Sequence, residues 1–277
     1  MLTGSFSSPA AGNPTGVMME AAYRALALDA RYLNCEVAPE HLGDAVKGAR
    51  AMGWAGFNLS IPHKVAVLDH LDRLAASAAI IGAVNCVLIT SEGELVGENT
   101  DGQGFVTALR GVANPAGAAM VILGAGGAAR AIAVETAMAG ASSITIVNRD
   151  RARGQALVDV LVHQTPAEAT LVLWEGAYGV AVGTDILVNA TPVGLSPDVA
   201  ATPDVDLASL MPEMIVADVV PNPPQTALLG TARERGCTTL DGLGMLVYQG
   251  AIGIHLWTGL NANTEVMRDA LERQFRV

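Results

Sequence analysis

Residues 121–130, with the sequence VILGAGGAAR, constrain the fold of this chain more than any other stretch. The apolar run before the glycines predicts a buried parallel strand, and the alanine-rich segment after them predicts a helix. The first glycine can adopt a positive φ in the turn, while Gly126 and Gly127 lack a Cβ and let a pyrophosphate approach the helix N-terminus. This pattern predicts nucleotide binding; the alternative is a tight strand–helix junction that binds no ligand.

Strand-like and helical patterns alternate between residues 105 and 240. Strands are predicted near residues 119–123, 143–147, 170–174, 185–190 and 214–218. Helical patterns lie between most of these strands, which predicts a parallel, doubly wound sheet. The second of these strands ends at Asn148, Arg149 and Asp150. These residues lie about 20 positions beyond the glycines, where a dinucleotide-binding fold contacts the ribose.

The first hundred residues alternate short apolar runs with helical patterns in the same way. The sequence predicts a strand over residues 2–6, a helix over 15–28 with Thr15 as its N-cap, and a helix over 72–81. Residues 84–89 and 94–96 predict a hairpin, and residues 97–102, which are polar and flanked by glycine, predict a loop. The segment 242–277 is predicted to be helical.

Composition excludes several classes of protein. Of 277 residues 51% are apolar and 16% are charged, which is typical of a compact globular protein. The formal net charge of −11 argues against a nucleic-acid surface. Three distant cysteines and five scattered histidines predict reduced thiols in the cytoplasm and no metal site. The N-terminus lacks the pattern of a signal peptide, and no uninterrupted apolar run is long enough for a membrane span.

Lysine is rare in this chain, with fourteen arginines against only Lys47 and Lys64. Lys64 lies at a predicted strand–helix junction, where either an ammonium that can lose its proton or a plain surface charge would explain it. Asp101 is the candidate partner, because a lysine and an aspartate close together can pass a proton to or from a substrate hydroxyl. Taken alone, Asp101 is equally a turn residue or a helix cap.

A set of motifs occurs in one order along nearly the whole chain. The motifs are Asn58-x-Ser60-x-Pro62-x-Lys64, Gly82-Ala83-x-Asn85, Asn99-Thr100-Asp101, Gly124-Ala125-Gly126-Gly127, Asn148-Arg149, Asn189-Ala190-Thr191-Pro192-x-Gly194, Asp241-Gly242-Leu243-Gly244-Met245-Leu246-Val247-x-Gln249 and Trp257-Thr258-Gly259. This set closely resembles the shikimate dehydrogenase family, which includes shikimate and quinate dehydrogenases.

The resemblance implies an α/β fold of two domains with a cleft between them. Residues 1–104, completed by C-terminal helices in 242–277, would form the substrate domain, and residues 105–241 a doubly wound, Rossmann-like domain for NADP. The implied reaction is the reversible, NADP-dependent reduction of 3-dehydroshikimate to shikimate. The implied partner is a cyclitol carboxylate rather than a nucleic acid or a membrane, and the implied enzyme is a monomer or a homodimer.

The same match assigns roles to individual residues. Lys64 and Asp101 would be the catalytic pair, with either one moving the proton. Residues that would bind the substrate are Asn13, Thr15, Ser60, Asn85, Asn99 and Gln249. Residues that would bind the cofactor are Gly124, Ala125, Gly126, Gly127, Ala128, Asn148, Arg149, Asp150, Arg153, Thr191, Val219, Gly242 and Met245.

Three departures from the family pattern keep alternatives open. Asn13 and Thr15 replace the serine pair whose hydroxyls hold the substrate carboxylate, which leaves room for quinate or an amino- or deoxy-cyclitol acid. Pro221 replaces a tyrosine near the substrate. Asp150 stands where the NADP clamp has Thr or Ser, which favours NAD, although three arginines surround it. A catalytically silent metabolite sensor is the alternative from another class, and the retained Lys64 argues against it.

Overall fold

The computed structural model describes residues 1–275, and these form two compact units. The first unit contains Met1–Thr100 together with residues 247–275, and the second contains Asp101–Leu246. The last two residues of the predicted C-terminal helical segment, 276 and 277, lie outside the described residues.

The elements of the first hundred residues alternate between strand and helix. In chain order they are β1 (Leu2–Ser7), α1 (Thr15–Ala25), β2 (Arg31–Glu36), α2 (Leu42–Ala51), β3 (Gly56–Leu59), α3 (His63–Ala66), β4 (Arg73–Leu74), α4 (Ala76–Ile81), β5 (Cys86–Ile89) and β6 (Leu95–Glu98). Their six strands form one sheet in the order β2-β1-β3-β5-β6-β4. The sheet is mixed, because β1 runs parallel to β2 and β3 while β5 runs antiparallel to β3 and β6.

The second part of the chain follows a regular strand–helix order. Its elements are α5 (Thr100–Arg110), β7 (Ala119–Leu123), α6 (Gly127–Met138), β8 (Ser143–Asn148), α7 (Arg151–Gln164), β9 (Glu168–Leu173), β10 (Ile186–Asn189), β11 (Ile215–Asp218), α8 (Ala227–Glu234), β12 (Thr238–Leu240), α9 (Gly242–Thr258) and α10 (Thr264–Phe275). The five strands predicted here are confirmed, and β12 is an additional one.

The sheet of the second unit is entirely parallel, with strand order β12-β11-β10-β7-β8-β9. This is the doubly wound, Rossmann-like arrangement that the sequence predicts. The order reverses between β7 and β10, and ligands of such sheets bind beyond the carboxyl ends of the strands at this point. All four residues of β10 are buried, as expected for a strand covered on both faces.

The first unit has a separate apolar core. Phe6 on β1 stacks on Phe57 of β3 with ring centroids 4.6 Å apart, and Trp54 packs against the same ring of Phe6. Burial of side chains of this size supplies the main driving force for folding. The core fixes the strands whose carboxyl ends carry the candidate site residues.

Three local predictions were wrong. Thr15 is the first residue of α1 rather than its N-cap, because Asn13 Oδ1 accepts the Thr15 N–H at 3.0 Å and Pro14 takes the cap position. Only Ala76–Ile81 of the predicted helix 72–81 is helical, because residues 73–74 pair with β6 instead. The predicted loop 97–102 is divided between the end of β6 and the start of α5.

Candidate active site

Lys64 lies on α3, just after the carboxyl end of β3. Its neighbour His63 is buried, and His63 Nε2 is 2.8 Å from the carbonyl of Val37. Since a carbonyl only accepts, this ring nitrogen is the donor. The backbone carbonyl of Lys64 accepts the Val84 N–H at 2.8 Å. The helix turn that carries Lys64 is therefore anchored on both sides.

Asp101 is the second residue of α5, whose first residue is held by Asn85. The Thr100 N–H donates to Asn85 Oδ1 at 2.7 Å, and Asn85 Nδ2 donates to Thr100 Oγ1 at 3.0 Å. Both residues are buried, so the pairing is shielded from competing water. Asn85, predicted to bind substrate, thus also fixes the start of the helix that carries Asp101.

A chain of buried polar groups extends from Asn85, and the sequence reasoning gave its members no role. Asn58 Nδ2 donates to the carbonyl of Asn85 at 3.1 Å, and the Tyr32 hydroxyl donates to Asn58 Oδ1 at 2.8 Å. Burial raises the pKa of Tyr32 well above its ordinary value, so the hydroxyl remains a donor. In the sequence, the one signal for this chain of polar groups is that Asn58 begins the motif Asn58-x-Ser60-x-Pro62-x-Lys64.

The other predicted substrate residues of the first unit are two amides and two hydroxyls, apart from Asn13. Asn99 donates through Nδ2 to the carbonyl of Ala83 at 3.0 Å, and Gln249 is buried on α9. Thr15 is buried and Ser60 is half-buried. Within residues 1–275, neither of these two hydroxyls has a hydrogen-bond partner, so both can serve a ligand.

The amide of Asn13 is held within the protein. Asn13 Nδ2 donates to Ser5 Oγ at 3.3 Å, and Asn13 Oδ1 accepts the Thr15 N–H. Asn34 Nδ2 in turn donates to the carbonyl of Asn13 at 3.0 Å, while Ser5 Oγ donates to Asn34 Oδ1. The oxygen and one N–H of this amide are therefore used within the turn, which leaves one N–H for a ligand.

The carboxylate of Glu36, at the end of β2, lies against the turn at residues 8–15. Glu36 accepts hydrogen bonds from the Ala10 N–H at 2.5 Å and from Ser8 Oγ at 2.7 Å. These two donors lower the pKa of Glu36, which keeps its carboxylate ionised. Neither Glu36 nor its role was predicted from the sequence.

The glycine turn between β7 and α6 suits a pyrophosphate. Gly124 has φ +104°, and a Cβ there would lie 3.2 Å from Thr191 Cγ2. Gly126 and Gly127 are exposed, and a Cβ at either would meet no described atom within 4 Å. Among the described residues, α6 has no side-chain cap and no acidic residue in its first turn. Its first N–H groups are thus suited to an anion; Ala125 and Ala128 flank them, half-buried.

The residues after β8 form a cationic cluster. Asp150 is the N-cap of α7, because its Oδ1 accepts the Arg153 N–H at 3.1 Å. Its Oδ2 lies 3.5 Å from Arg153 Nε, and Asn148 Nδ2 donates to the Asp150 carbonyl at 2.7 Å. Arg149 and Arg151 are exposed beside them. This donor set fits a 2′-phosphate, because Arg149, Arg151 and Arg153 outnumber the one carboxylate beside them.

The remaining predicted cofactor residues follow β10, β11 and β12. Asn189 Oδ1 accepts both the Thr191 N–H at 3.1 Å and Thr191 Oγ1 at 2.7 Å. Gly242 begins α9 so close to the backbone that a Cβ there would lie 2.6 Å from the Val219 carbonyl oxygen. Met245 lies one turn further along α9 and is half-buried.

The predicted site residues are therefore divided between the two units. The first unit holds Asn13, Thr15, Ser60, Lys64, Asn85, Asn99 and Gln249, and the second holds Asp101 with all the predicted cofactor residues. No group of three or more side chains that could bind a metal ion occurs among residues 1–275. Likewise, none of the helices described is long and apolar enough to cross a membrane.

Comparison with known proteins decides the family. A shikimate dehydrogenase from Desulforamulus reducens, named as NADP(+)-dependent, is 40% identical over 98% of this chain and 94% of its own length. The chain belongs to the shikimate dehydrogenase family. The family model of the shikimate dehydrogenase substrate binding domain matches residues 7–87, and that of the shikimate 5′-dehydrogenase C-terminal domain matches residues 242–272. The family predicted from the motifs is confirmed, and with it the class of NAD(P)-dependent oxidoreductases.

Two solved structures similar to this chain are informative for different reasons. Shikimate 5-dehydrogenase from Thermus thermophilus, in complex with NADP(H) and shikimate, is 34% identical over 99% of both chains with a TM-score of 0.87. The 5-ketofructose reductase of a Gluconobacter strain is 56% identical over 99% of both chains with a TM-score of 0.97. The chain is therefore similar to proteins named for two different substrates.

Proposed function

We propose that the chain catalyses reversible, NADP-dependent hydride transfer between a ketone and a secondary alcohol, with Lys64 and Asp101 as the catalytic pair. The observation that carries the proposal is the anchoring of both residues. His63 and the Val84 N–H hold the turn with Lys64, and Asn85 holds the start of the helix with Asp101. Such preorganisation is expected of groups that must meet a reacting atom in fixed geometry.

The proposed roles follow from charge. NADPH, when bound, supplies the hydride for reduction, and negative charge then develops on the substrate oxygen. The Lys64 ammonium would stabilise that charge and donate a hydrogen bond to it. Lys64 or Asp101 would deliver the proton in reduction and take it back in oxidation, and either assignment balances the reaction. The Asn99 and Gln249 amides and the Thr15 and Ser60 hydroxyls would orient the substrate.

NADP is the proposed cofactor because the arginines after β8 are available to its 2′-phosphate. Asp150 was the residue that favoured NAD, through a hydrogen bond to a ribose hydroxyl. Its carboxylate instead caps α7 and faces Arg153, which supports NADP. Curated relatives of about 40% identity also carry NADP(+) in their names. The residues that would hold the pyrophosphate are Gly126 and Gly127 at the start of α6.

The first candidate reaction is the reduction of 3-dehydroshikimate to shikimate. Curated relatives across nearly the full length of the chain are named for it, and Lys64, Asp101, Asn85 and Gln249 are all present. We do not favour quinate or a silent sensor. The names of these relatives speak for shikimate, and a sensor would have little need of an anchored lysine–aspartate pair.

The second candidate is the reduction of a neutral polyhydroxy ketone such as 5-ketofructose. A specific observation favours it: the turn at residues 8–15 uses the oxygen and one N–H of the Asn13 amide and holds the Glu36 carboxylate. A substrate carboxylate would have only the second N–H of Asn13 to accept from and would be repelled by Glu36, whereas a neutral hydroxyl would not be repelled. The 56% identical relative is named for this substrate, which has no carboxylate.

One assay distinguishes the two candidates. NADPH oxidation is followed with 3-dehydroshikimate and with 5-ketofructose at matched concentrations, and each reaction is repeated with NADH. Higher kcat/KM for 3-dehydroshikimate would establish the first candidate, and higher kcat/KM for 5-ketofructose the second. Absence of turnover with both ketones and both cofactors would overturn the proposed function, provided that circular dichroism shows a folded protein.

The cellular location stays a proposal. Within the described residues, Cys35, Cys86 and Cys237 form no disulfide, which is usual for cysteines in a reducing compartment. We therefore propose that the enzyme acts in the cytoplasm on a small-molecule substrate.

The oligomeric state is predicted to be a monomer or a homodimer. Size-exclusion chromatography with light scattering will decide between the two.

A further inference from the structure

Asp218 is a buried carboxylate to which neither the motifs nor the proposed chemistry gives a role. It ends β11, is only 2% exposed and accepts hydrogen bonds from three segments. Oδ1 accepts from Asn189 Nδ2 at 3.0 Å and from the Val220 N–H at 3.1 Å, and Oδ2 accepts from Thr226 Oγ1 at 2.8 Å. Burial raises its pKa, and the three donors oppose that shift. A buried carboxylate with this many donors joins separate segments together.

The contact with Asp218 fixes the orientation of the Asn189 amide. Asn189 is fully buried at the end of β10, beside Asp218 in the sheet register. Its nitrogen must face the carboxylate of Asp218, which only accepts, and its oxygen must face the Thr191 N–H, which only donates. The two requirements agree, so a rotation of this amide by half a turn would break both contacts.

The orientation of Asn189 in turn sets the loop after β10. Its Oδ1 holds the backbone and the hydroxyl of Thr191, and Thr191 Oγ1 accepts the Val193 N–H at 3.2 Å. The methyl group of Thr191 lies against Gly124, where a Cβ would be 3.2 Å away. Asp218 also accepts the Val220 N–H. Gly242, the first residue of α9, packs against the backbone of this same segment.

From this geometry we infer that Asp218 is a positioning residue: through Asn189 and Val220 it sets the two loops that receive the nicotinamide half of the cofactor. This inference rests on the proposed function. A doubly wound sheet has two mononucleotide halves on either side of the switch point. The arginines after β8 mark the adenine half, so the loops after β10 and β11 face the other half.

The test compares two ligands that share the adenine half. NADPH carries both halves, whereas adenosine 2′,5′-bisphosphate carries only adenosine with its 2′-phosphate and its 5′-phosphate. Dissociation constants of both are measured by titration calorimetry, alongside kcat, for Asp218→Ala, Asn189→Ala and Asp218→Asn. Asp185→Ala is the matched control, because its carboxylate holds the Ala119 N–H at 2.8 Å at the opposite, amino edge of the same sheet.

Asp218→Ala and Asn189→Ala are expected to weaken NADPH binding about 10-fold and to lower kcat by about 10- to 100-fold, since small misplacements are costly in aligned reactions. Binding of adenosine 2′,5′-bisphosphate should stay within about 2-fold of wild type, as should both ligands in the control. Asp218→Asn should restore most of the loss, because its oxygen can serve Asn189 and Val220 while its nitrogen donates to Thr226.

The alternatives are distinguishable. If the alanine variants bind both ligands more weakly to the same degree, or bind both as tightly as wild type, the positioning role is overturned. If Asp218→Ala does not fold, Asn189→Ala decides alone, since it leaves Asp218 with two donors. A loss in Asp218→Asn as large as in Asp218→Ala also overturns the role, because charge rather than hydrogen-bond geometry would then matter. A wild type that binds neither NADPH nor NADH overturns the proposed function itself.

Discussion

Replacing Asp150 with serine should strengthen the binding of NADPH without weakening the fold. The Asp150 carboxylate caps α7 through the Arg153 N–H at 3.1 Å and lies in the arginine cluster proposed to bind the 2′-phosphate. Serine caps a helix about as well as aspartate, so the free energy of unfolding should change by only a few tenths of a kcal/mol. Alanine lacks the cap and should cost about 1 kcal/mol of stability.

The gain in affinity follows from removing one negative charge. With about two charges on the phosphate, a separation of about 7 Å and the dielectric of water, the repulsion is about 1.2 kcal/mol, or about eightfold in the dissociation constant. Screening at ~0.1 M salt roughly halves this energy and leaves about threefold. The Asp150 side chain is 52% exposed, so the high-dielectric estimate is the appropriate one.

The assay is fluorescence titration of NADPH and NADH at about 0.02 M and 0.5 M salt, a range over which the Debye length falls severalfold. NADH lacks the 2′-phosphate and serves as the internal control, so its dissociation constant should stay nearly constant in both variants. The serine and alanine variants should gain equally for NADPH at low salt and lose the gain at high salt. Equal gains for NADH and NADPH, or a weaker NADPH complex in Asp150→Ser, would refute this account of the cluster.

Three further predictions follow from the first unit. Lys64→Ala should lower kcat by about 10²- to 10⁴-fold while NADPH binding, measured by titration, is retained; undiminished turnover would remove Lys64 from the catalytic pair. Thr15→Val should raise the substrate KM by about 5- to 10-fold with no change in melting temperature, because the hydroxyl has no partner within the described chain; equal losses of stability and affinity would contradict this. Glu36→Gln should make unfolding less pH-dependent. The lowered pKa of Glu36 means that its stabilisation is present above its ordinary pKa and is lost as the pH falls through the folded-state value. The difference between the urea midpoints of wild type and variant should therefore shrink between about pH 7 and pH 3, and a constant difference would argue against the assigned hydrogen bonds.

The parallel sheet of the second unit could be predicted because each of its strands has a signal within a short stretch of sequence. A strand such as β10 is buried over its whole length, and it is therefore a continuous apolar run in the sequence. Loop 97–102 was mispredicted because its structure depends on distant partners. Gly97 and Glu98 pair with Val87 and Cys86, and Asn85 fixes the start of α5. Polar composition alone gives no sign of these contacts.

The candidate site shows the same division. Motif matching found Lys64, Asp101 and Asn85, but it assigned the Asn85 amide to the substrate and gave no sign that the amide holds Thr100. Asp218 has no local signature, since an aspartate that ends a strand is most often a turn residue. Its three donors come from residues 189, 220 and 226, and only the folded chain brings them together.

We expect catalysis and substrate choice to be separable in this protein, because Asn85 and Asn13 have different partners in the structure. Asn85 holds Thr100 at the start of the helix that carries Asp101. Asn13 is committed to the turn that Glu36 holds, which is where this chain departs from the family pattern. We therefore expect the Asn85–Thr100 pairing to suit either candidate ketone, and the altered turn to decide between a charged and a neutral substrate end. Exchanging the turn should change the preferred substrate and leave the pH dependence of hydride transfer unchanged.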